Sequence, residues 1–256
     1  MRRFAPIQIV ISVCCLLISS VSFSQQDASK QERFWNNIEV YFPEDYQAVT
    51  GFNKPKTKGL SELSAYSGPK LPTVVLLHGC GGINAHMKKW AFTLAEAGYL
   101  VLMPDAKKIP GFPSYTCSPS NRPSGEMSKE LFKLRKQQIG VIRDNIKQHP
   151  AIMRKRTFIM GHSEGAATLV QIKAKFFKGA VVSGYKCRKR PPKIDPSVPL
   201  LYVNFKTDPW FNGAGTCEHI TSQRPDADEF LISGHSHFTG ENSGARARVI
   251  EFLDTH

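Results

Sequence analysis

The sequence predicts an α/β fold, a mostly parallel central sheet with helices on both faces. Three observations predict it. Continuous apolar runs such as Thr73-Val74-Val75-Leu76-Leu77 read as strands buried on both faces. Segments with apolar residues at helical spacing lie between them, so strand and helix alternate along the chain. The composition, 41% hydrophobic and 21% charged over 256 residues, is globular and excludes a disordered or collagen-like chain.

Residues 1–24 stand apart from this pattern. Met1-Arg2-Arg3 is basic, residues 7–21 are almost all apolar, and Ser22 and Ser24 place small residues at −3 and −1 of a cut after Ser24. This is the layout of a secretory signal peptide. The apolar run is short for a membrane span, which needs roughly 20 residues. Residues 25–256 are then one exported domain, with no membrane span in the mature chain. Loss of Arg2 and Arg3 lowers the net charge from +13 to +11. A surplus of that size favours acidic surfaces and says nothing about fold.

The elements follow in order. Ile38 to Phe42 is strand-like within an otherwise polar stretch. The strand 73–77 ends at Gly79 and Gly81-Gly82. Met87, Trp90 and Leu94 mark a helix that Gly98 stops. Residues 99–103 form a second buried strand, and residues 106–126, rich in Pro, Gly and Ser, form a long surface loop. Ser128 caps a helix carrying Phe132, Ile139, Ile142 and Ile146, which ends before Pro150. Strands are expected at 156–160, 180–183, 200–205 and 229–233, with helices at 165–175 and 243–253.

The chemistry-bearing residues lie at strand ends. Gly161-His162-Ser163-Glu164-Gly165 matches G-x-S-x-G between a strand and a helix, the setting of a nucleophile elbow, which makes Ser163 the candidate nucleophile. The orienting acid should follow it in the chain, and Asp208 sits just after the strand 200–205. Asp105 precedes Ser163, Asp195 lies in a proline-rich loop, and Asp226 and Asp228 precede the next strand. The base comes from Gly234-His235-Ser236-His237-Phe238, where His237 and His235 compete. His162 points away from the nucleophile; His86, His149 and His219 read as surface, and His256 is terminal. The turn His78-Gly79-Cys80-Gly81-Gly82 offers the N–H of Cys80, with that of Glu164, as an oxyanion hole.

Cys14 and Cys15 leave with the signal peptide, so Cys80, Cys117, Cys187 and Cys217 remain. In an oxidising compartment they make two disulfides, with three pairings open. None has C-x-x-C spacing, which argues against a zinc site.

From Leu71 to the C-terminus the chain resembles the dienelactone hydrolase family of α/β-hydrolases. The likeness is carried by Val74-Val75-Leu76-Leu77-His78-Gly79-Cys80-Gly81-Gly82, the Trp90 helix, Gly98-Tyr99-Leu100-Val101-Leu102, the Ser163 elbow, the Asp208 loop and a Gly-x-x-His ending followed by an aromatic. The resemblance implies the α/β-hydrolase fold and favours His237, three residues after Gly234, over His235. The founding members carry Cys where this chain has Ser163, and an arginine common before the Cys117 region is replaced by Ile109-Pro110-Gly111-Phe112. The same layout favours Cys187–Cys217 and Cys80–Cys117.

The resulting expectation is an exported, periplasmic or secreted serine hydrolase acting on a small-molecule ester through an acyl-enzyme. No cofactor and no metal is implied. Acyl transfer to another acceptor would use the same residues. A non-catalytic module holding an anionic envelope polymer on the basic run Lys186 to Lys193 is the reading from a different class. Nucleic acid is not an expected partner, since the run lacks interleaved aromatics.

Overall fold

The computed structural model describes residues 32–43, 60–119, 128–187, 191–211 and 216–256. The expected signal peptide, and part of both the basic run and the loop 106–126, lie outside them. Seven strands form one sheet among the described residues: β1 (Ile38–Tyr41), β2 (Leu71–Leu77), β3 (Leu100–Pro104), β4 (Ile152–His162), β5 (Ala180–Ser183), β6 (Leu200–Phe205) and β7 (Ala227–Ile232). Their order is β1-β3-β2-β4-β5-β6-β7. Only the β1–β3 pair is antiparallel; every other pairing is parallel. All the crossovers therefore bring strand ends β2, β4, β6 and β7 to one edge.

Helices flank the sheet, among them α1 (Leu60–Ala65), α2 (Ala85–Glu96), α3 (Lys129–Gln148), α4 (Glu164–Leu169), α5 (Glu218–Thr221) and α6 (Ser243–Thr255). The strands sort their side chains by parity. Val75 and Leu77 pack with Ile139 and Ile142 of α3, Leu169 of α4 and Ile220 of α5. Val74 and Leu76 pack on the opposite face with Trp90 and Leu94 of α2 and Phe252 of α6. A period of two with apolar residues at both parities is what a sheet covered on both faces demands.

The helix ends follow local chemistry. Ser128 Oγ accepts from Leu131 N at 3.1 Å, as a capping serine should. Asn84 and Asn242 do the same for α2 and α6. Gly98, at φ 90°, takes the left-handed conformation that ends α2.

Two elements differ from expectation. The helix expected at 165–175 stops at Leu169. Val170 O and Lys173 O are instead taken by Lys193 N and Asp195 N at 2.7 Å, so a long-range pairing overrides helical continuation. β4 begins at Ile152 rather than 156. Its pairing with β2 shifts between Leu71 and Thr73, and the irregularity absorbs the polar stretch around Arg154-Lys155. The short helices α1 and α5 were not expected either.

Among the described residues two disulfides are present, Cys80–Cys117 and Cys187–Cys217, with Cα–Cα distances of 5.4 and 5.3 Å. The first ties the turn after β2 to the chain beyond β3. The second joins the exit of β5 to the start of α5 and brackets β6 with Asp208. Disulfides persist in oxidising compartments, so they point to a periplasmic or extracellular protein. No described helix is long and apolar enough to cross a membrane.

The Cys187–Cys217 loop spans 30 positions, for which chain entropy gives about 3–4 kcal/mol. Replacing both cysteines with Ser should therefore lower the free energy of unfolding by that amount, and with it the melting temperature and the urea midpoint. An unchanged midpoint would show that the bracket adds no stability.

Candidate active site

The chain crosses from β4 to α4 through a turn that only its sequence permits. Ser163 adopts φ 54° and ψ −115°, a conformation that costs roughly 1–3 kcal/mol for a residue with a side chain. A Cβ on Gly161 would lie 2.6 Å from the carbonyl of Gly165, and one on Gly165 would overlap Leu77 O. The two glycines are thus required by the close approach of backbone to backbone. Ser163 N donates to Ser183 O at 2.9 Å and Ala167 N to Ser163 O at 2.8 Å, which hold the strained residue in place.

Asp208 and His237 meet at the same edge. Both are buried, and Asp208 Oδ2 lies 2.7 Å from His237 Nδ1. Asp208 Oδ1 accepts from Trp210 N at 2.8 Å. With a carboxylate on Nδ1, the imidazole carries its proton there and leaves Nε2 unprotonated. Trp210 stacks on the ring of His237 at 4.9 Å, and Phe211 meets it edge-on at 5.6 Å. His235 is exposed. Of the other acids, Asp105 caps a short 3-10 turn, Asp195 binds Ser197, and Asp228 pairs with Arg248. Ser163, His237, Cys80, Trp210 and Phe238 line one cleft of about 210 Å³. Ser163 and His237 are not hydrogen-bonded to one another; such bonds commonly tighten only once substrate is bound.

The turn after β2 is pinned from three sides. A Cβ on Gly79 would come within 3.0 Å of Ser163 Cβ, so the turn abuts the elbow. His78 is fully buried; its Nε2 accepts from Ala106 N at 2.9 Å, which leaves Nδ1 to donate to Gly79 O at 2.7 Å. Arg135 of α3 donates to His78 O at 3.1 Å and to Glu164 Oε1 at 2.6 Å. Tyr115 OH donates to the same carboxylate at 2.7 Å. The Arg135–Glu164 pair is buried, so one guanidinium ties the β2 turn to the first residue of α4.

Sequence reasoning used Glu164 for its N–H alone and did not single out Arg135. The signal was present: Leu131, Arg135, Ile139, Ile142 and Ile146 share one buried face of α3, and a cation in such a stripe needs a buried partner. His86, expected at the surface, is buried. Its ring lies 4.4 Å from that of His162, because α2 turns this face toward the elbow. His162 lines the Ser163 cleft, with its ring 4.8 Å from that of His237 and Nδ1 3.2 Å from Ser183 Oγ.

Burial and then the charge of Arg135 push the His78 imidazole down to about 3. Burial and then His237 push His86 down to about 4. Burial holds His162 well below the ordinary histidine value. These rings stay neutral in the fold and become protonated in the unfolded chain below about 6.5. The unfolded state therefore binds more protons between that value and the folded ones, and stability is full above pH 6.5 and falls with acidification. Each ring contributes a slope of about 1.4 kcal/mol per pH unit in the window. Urea unfolding at pH 7, 6 and 5 should show a steep loss of stability, with uptake of about three protons at pH 5. A flat profile would contradict neutral burial.

The fold has counterparts among known proteins. The sequence pattern of the dienelactone hydrolase family matches residues 62–228. A Klebsiella pneumoniae protein described as a dienelactone hydrolase is similar in structure, with a TM-score of 0.59 and 17% identity over 75% of this chain and 90% of that one. The dienelactone hydrolase-like promiscuous phosphotriesterase P91 from metagenomic libraries gives 0.53 and 17% over 75% and 88%. An esterase from the archaeon Pyrobaculum calidifontis gives 0.51 and 15% over 74% and 77%. At these identities the structural likeness shows the α/β-hydrolase fold alone. No curated protein matches the chain in sequence. The match of the family pattern over most of the chain places it in a family of hydrolases: the chain belongs to the dienelactone hydrolase family.

Proposed function

We propose that the protein is an exported serine hydrolase that cleaves carboxylic esters or related acyl bonds of small molecules. The observation that carries this reading is the buried Asp208–His237 pair, 2.7 Å apart, whose histidine lines one cleft with the elbow serine Ser163. In the proposed reaction Ser163 Oγ attacks the carbonyl carbon and His237 Nε2 takes the hydroxyl proton. Asp208 keeps the ring in its reactive tautomer and stabilises the imidazolium. The N–H groups of Cys80 and Glu164 receive the oxyanion; both residues border Ser163 on a second, smaller cavity. Collapse of the tetrahedral adduct expels the alkoxide, which takes the proton from His237. Water, deprotonated by the same ring, then attacks the acyl-enzyme and frees Ser163.

Export is the second part of the proposal. Two disulfides support it, and residues 1–24 have the layout of a removable signal. The mature chain 25–256 would then be a single hydrolase domain.

A fluorophosphonate probe should label Ser163, and Ser163→Ala should abolish labelling and lower kcat on p-nitrophenyl acetate by roughly 10⁴- to 10⁶-fold. Asp208→Asn should lower it by about 10⁴-fold through loss of the reactive tautomer. Activity retained in folded Ser163→Ala would move the nucleophile elsewhere. N-terminal sequencing of protein recovered from the cell envelope should begin near Gln25; a start at Met1 would contradict cleavage.

A further inference from the structure

Ser163 stands between two cavities of very different size. The cleft of about 210 Å³ includes His237 in its wall. The other, about 20 Å³, is walled by Ala167, Tyr185, Trp210 and Phe211 together with Cys80 and Glu164, and His237 is not part of it. This asymmetry assigns the two halves of an ester. The leaving oxygen must receive its proton from His237 Nε2, so the alcohol half belongs in the larger cleft. The carbonyl oxygen goes to the N–H groups of Cys80 and Glu164. The remaining substituent of the carbonyl carbon, the acyl chain, then points into the smaller cavity.

That cavity is shallow. A single water occupies roughly 10–15 Å³ on such a measure, so 20 Å³ takes one or two carbon atoms beyond the carbonyl. Its walls are not free to retreat. Tyr185 is buried and meets Phe211 edge-on at 5.6 Å, and Tyr185 N donates to Asn204 Oδ1 at 3.0 Å. Phe211 and Cys187 pack against the main core, and the Cys187–Cys217 disulfide spans this corner. Ala167 is set by the first turns of α4. A packed wall of this kind does not yield continuously to a longer chain. The Glu164 carboxylate in its lining is taken up by Arg135 and Tyr115.

We infer that the enzyme is a short-acyl esterase, selective for acetyl and propionyl esters of larger alcohols or phenols, with Phe211 and Ala167 closing the acyl pocket. The inference rests on the serine-hydrolase reading above and deepens it. The cleft that would hold the alcohol is the larger of the two, and Met87 and Phe238 give it apolar surface.

The decisive comparison uses two isomeric esters, hexyl acetate and ethyl hexanoate, which share composition but exchange the long chain between the two halves. Hexyl acetate should be cleaved with kcat/KM at least about 100-fold higher, the scale on which a filled pocket discriminates methylene groups. A p-nitrophenyl series should fall in the same way from acetate and propionate to hexanoate. Phe211→Ala should raise kcat/KM for ethyl hexanoate relative to hexyl acetate by at least about 10-fold; Phe211→Leu, which keeps a packed side chain, should shift the ratio in the same direction by less. Ser163→Ala serves as the control that separates the two levels. Hydrolysis of p-nitrophenyl acetate that survives Ser163→Ala overturns the serine-hydrolase reading and the pocket assignment with it. Hydrolysis that depends on Ser163 but treats the two isomers equally, or prefers ethyl hexanoate, overturns the pocket assignment and leaves the hydrolase reading standing.

Discussion

The backbone of the β4–α4 turn presses so closely on the end of β2 that no side chain fits between them, and the arrangement around Ser163 follows from that contact. Gly165 lies against Leu77 O and Gly161 against the Gly165 carbonyl, so both positions must lack a Cβ. The turn can then close only if Ser163 takes a positive φ. The strain is offset by hydrogen bonds to Ser183 and from Ala167 and by a helix whose six residues are all buried. The same contact makes the first turn of α4 a neighbour of the His78-Gly79-Cys80 turn. Two backbone segments distant in sequence thereby border the proposed nucleophile, and their N–H groups are the oxyanion donors proposed above.

That adjacency is reinforced by charge. Arg135 and Glu164 form a buried pair whose removal from water is expensive, and such pairs are weak sources of stability. Here the pair has further partners, because Arg135 also holds His78 O and Tyr115 holds Glu164. Breaking it from one side would strand a buried charge, at a cost of about 3–5 kcal/mol. The pair is better understood as a tie between two turns than as a contribution to stability. The disulfides act on the same edge: one anchors the β2 turn and the other the corner that carries Asp208 and Phe211.

The parts of this arrangement that were legible in the sequence are those encoded locally. The strands β2, β3, β5 and β6 are short apolar runs between turn residues, and their limits read directly, within a residue or two. The elbow declares itself because its glycines are demanded by backbone contact. Asp208 and His237 could be named because each follows a strand, and strand order fixes where those ends emerge. What could not be read depends on partners distant in sequence. The helix after the elbow was expected to run to 175, but Lys193 and Asp195 capture its carbonyls from outside. His86 looked like a surface residue, and only the seating of α2 against the elbow buries it. Nothing local marks Trp210 and Phe211 as cavity walls; packing against His237 and Tyr185 makes them so. Arg135 is an intermediate case, visible as a cation in an apolar stripe but without any local clue to Glu164, 29 positions away.

The central claim is that Ser163 becomes acylated during turnover with His237 and Asp208 behind it. Rapid-quench mass spectrometry of the enzyme mixed with excess p-nitrophenyl acetate tests it most directly. The account predicts an acetyl group on the peptide containing Ser163 that appears with a burst of p-nitrophenol and vanishes as substrate is exhausted. Turnover with no acylated peptide, or with the acetyl group on a different residue, would contradict it.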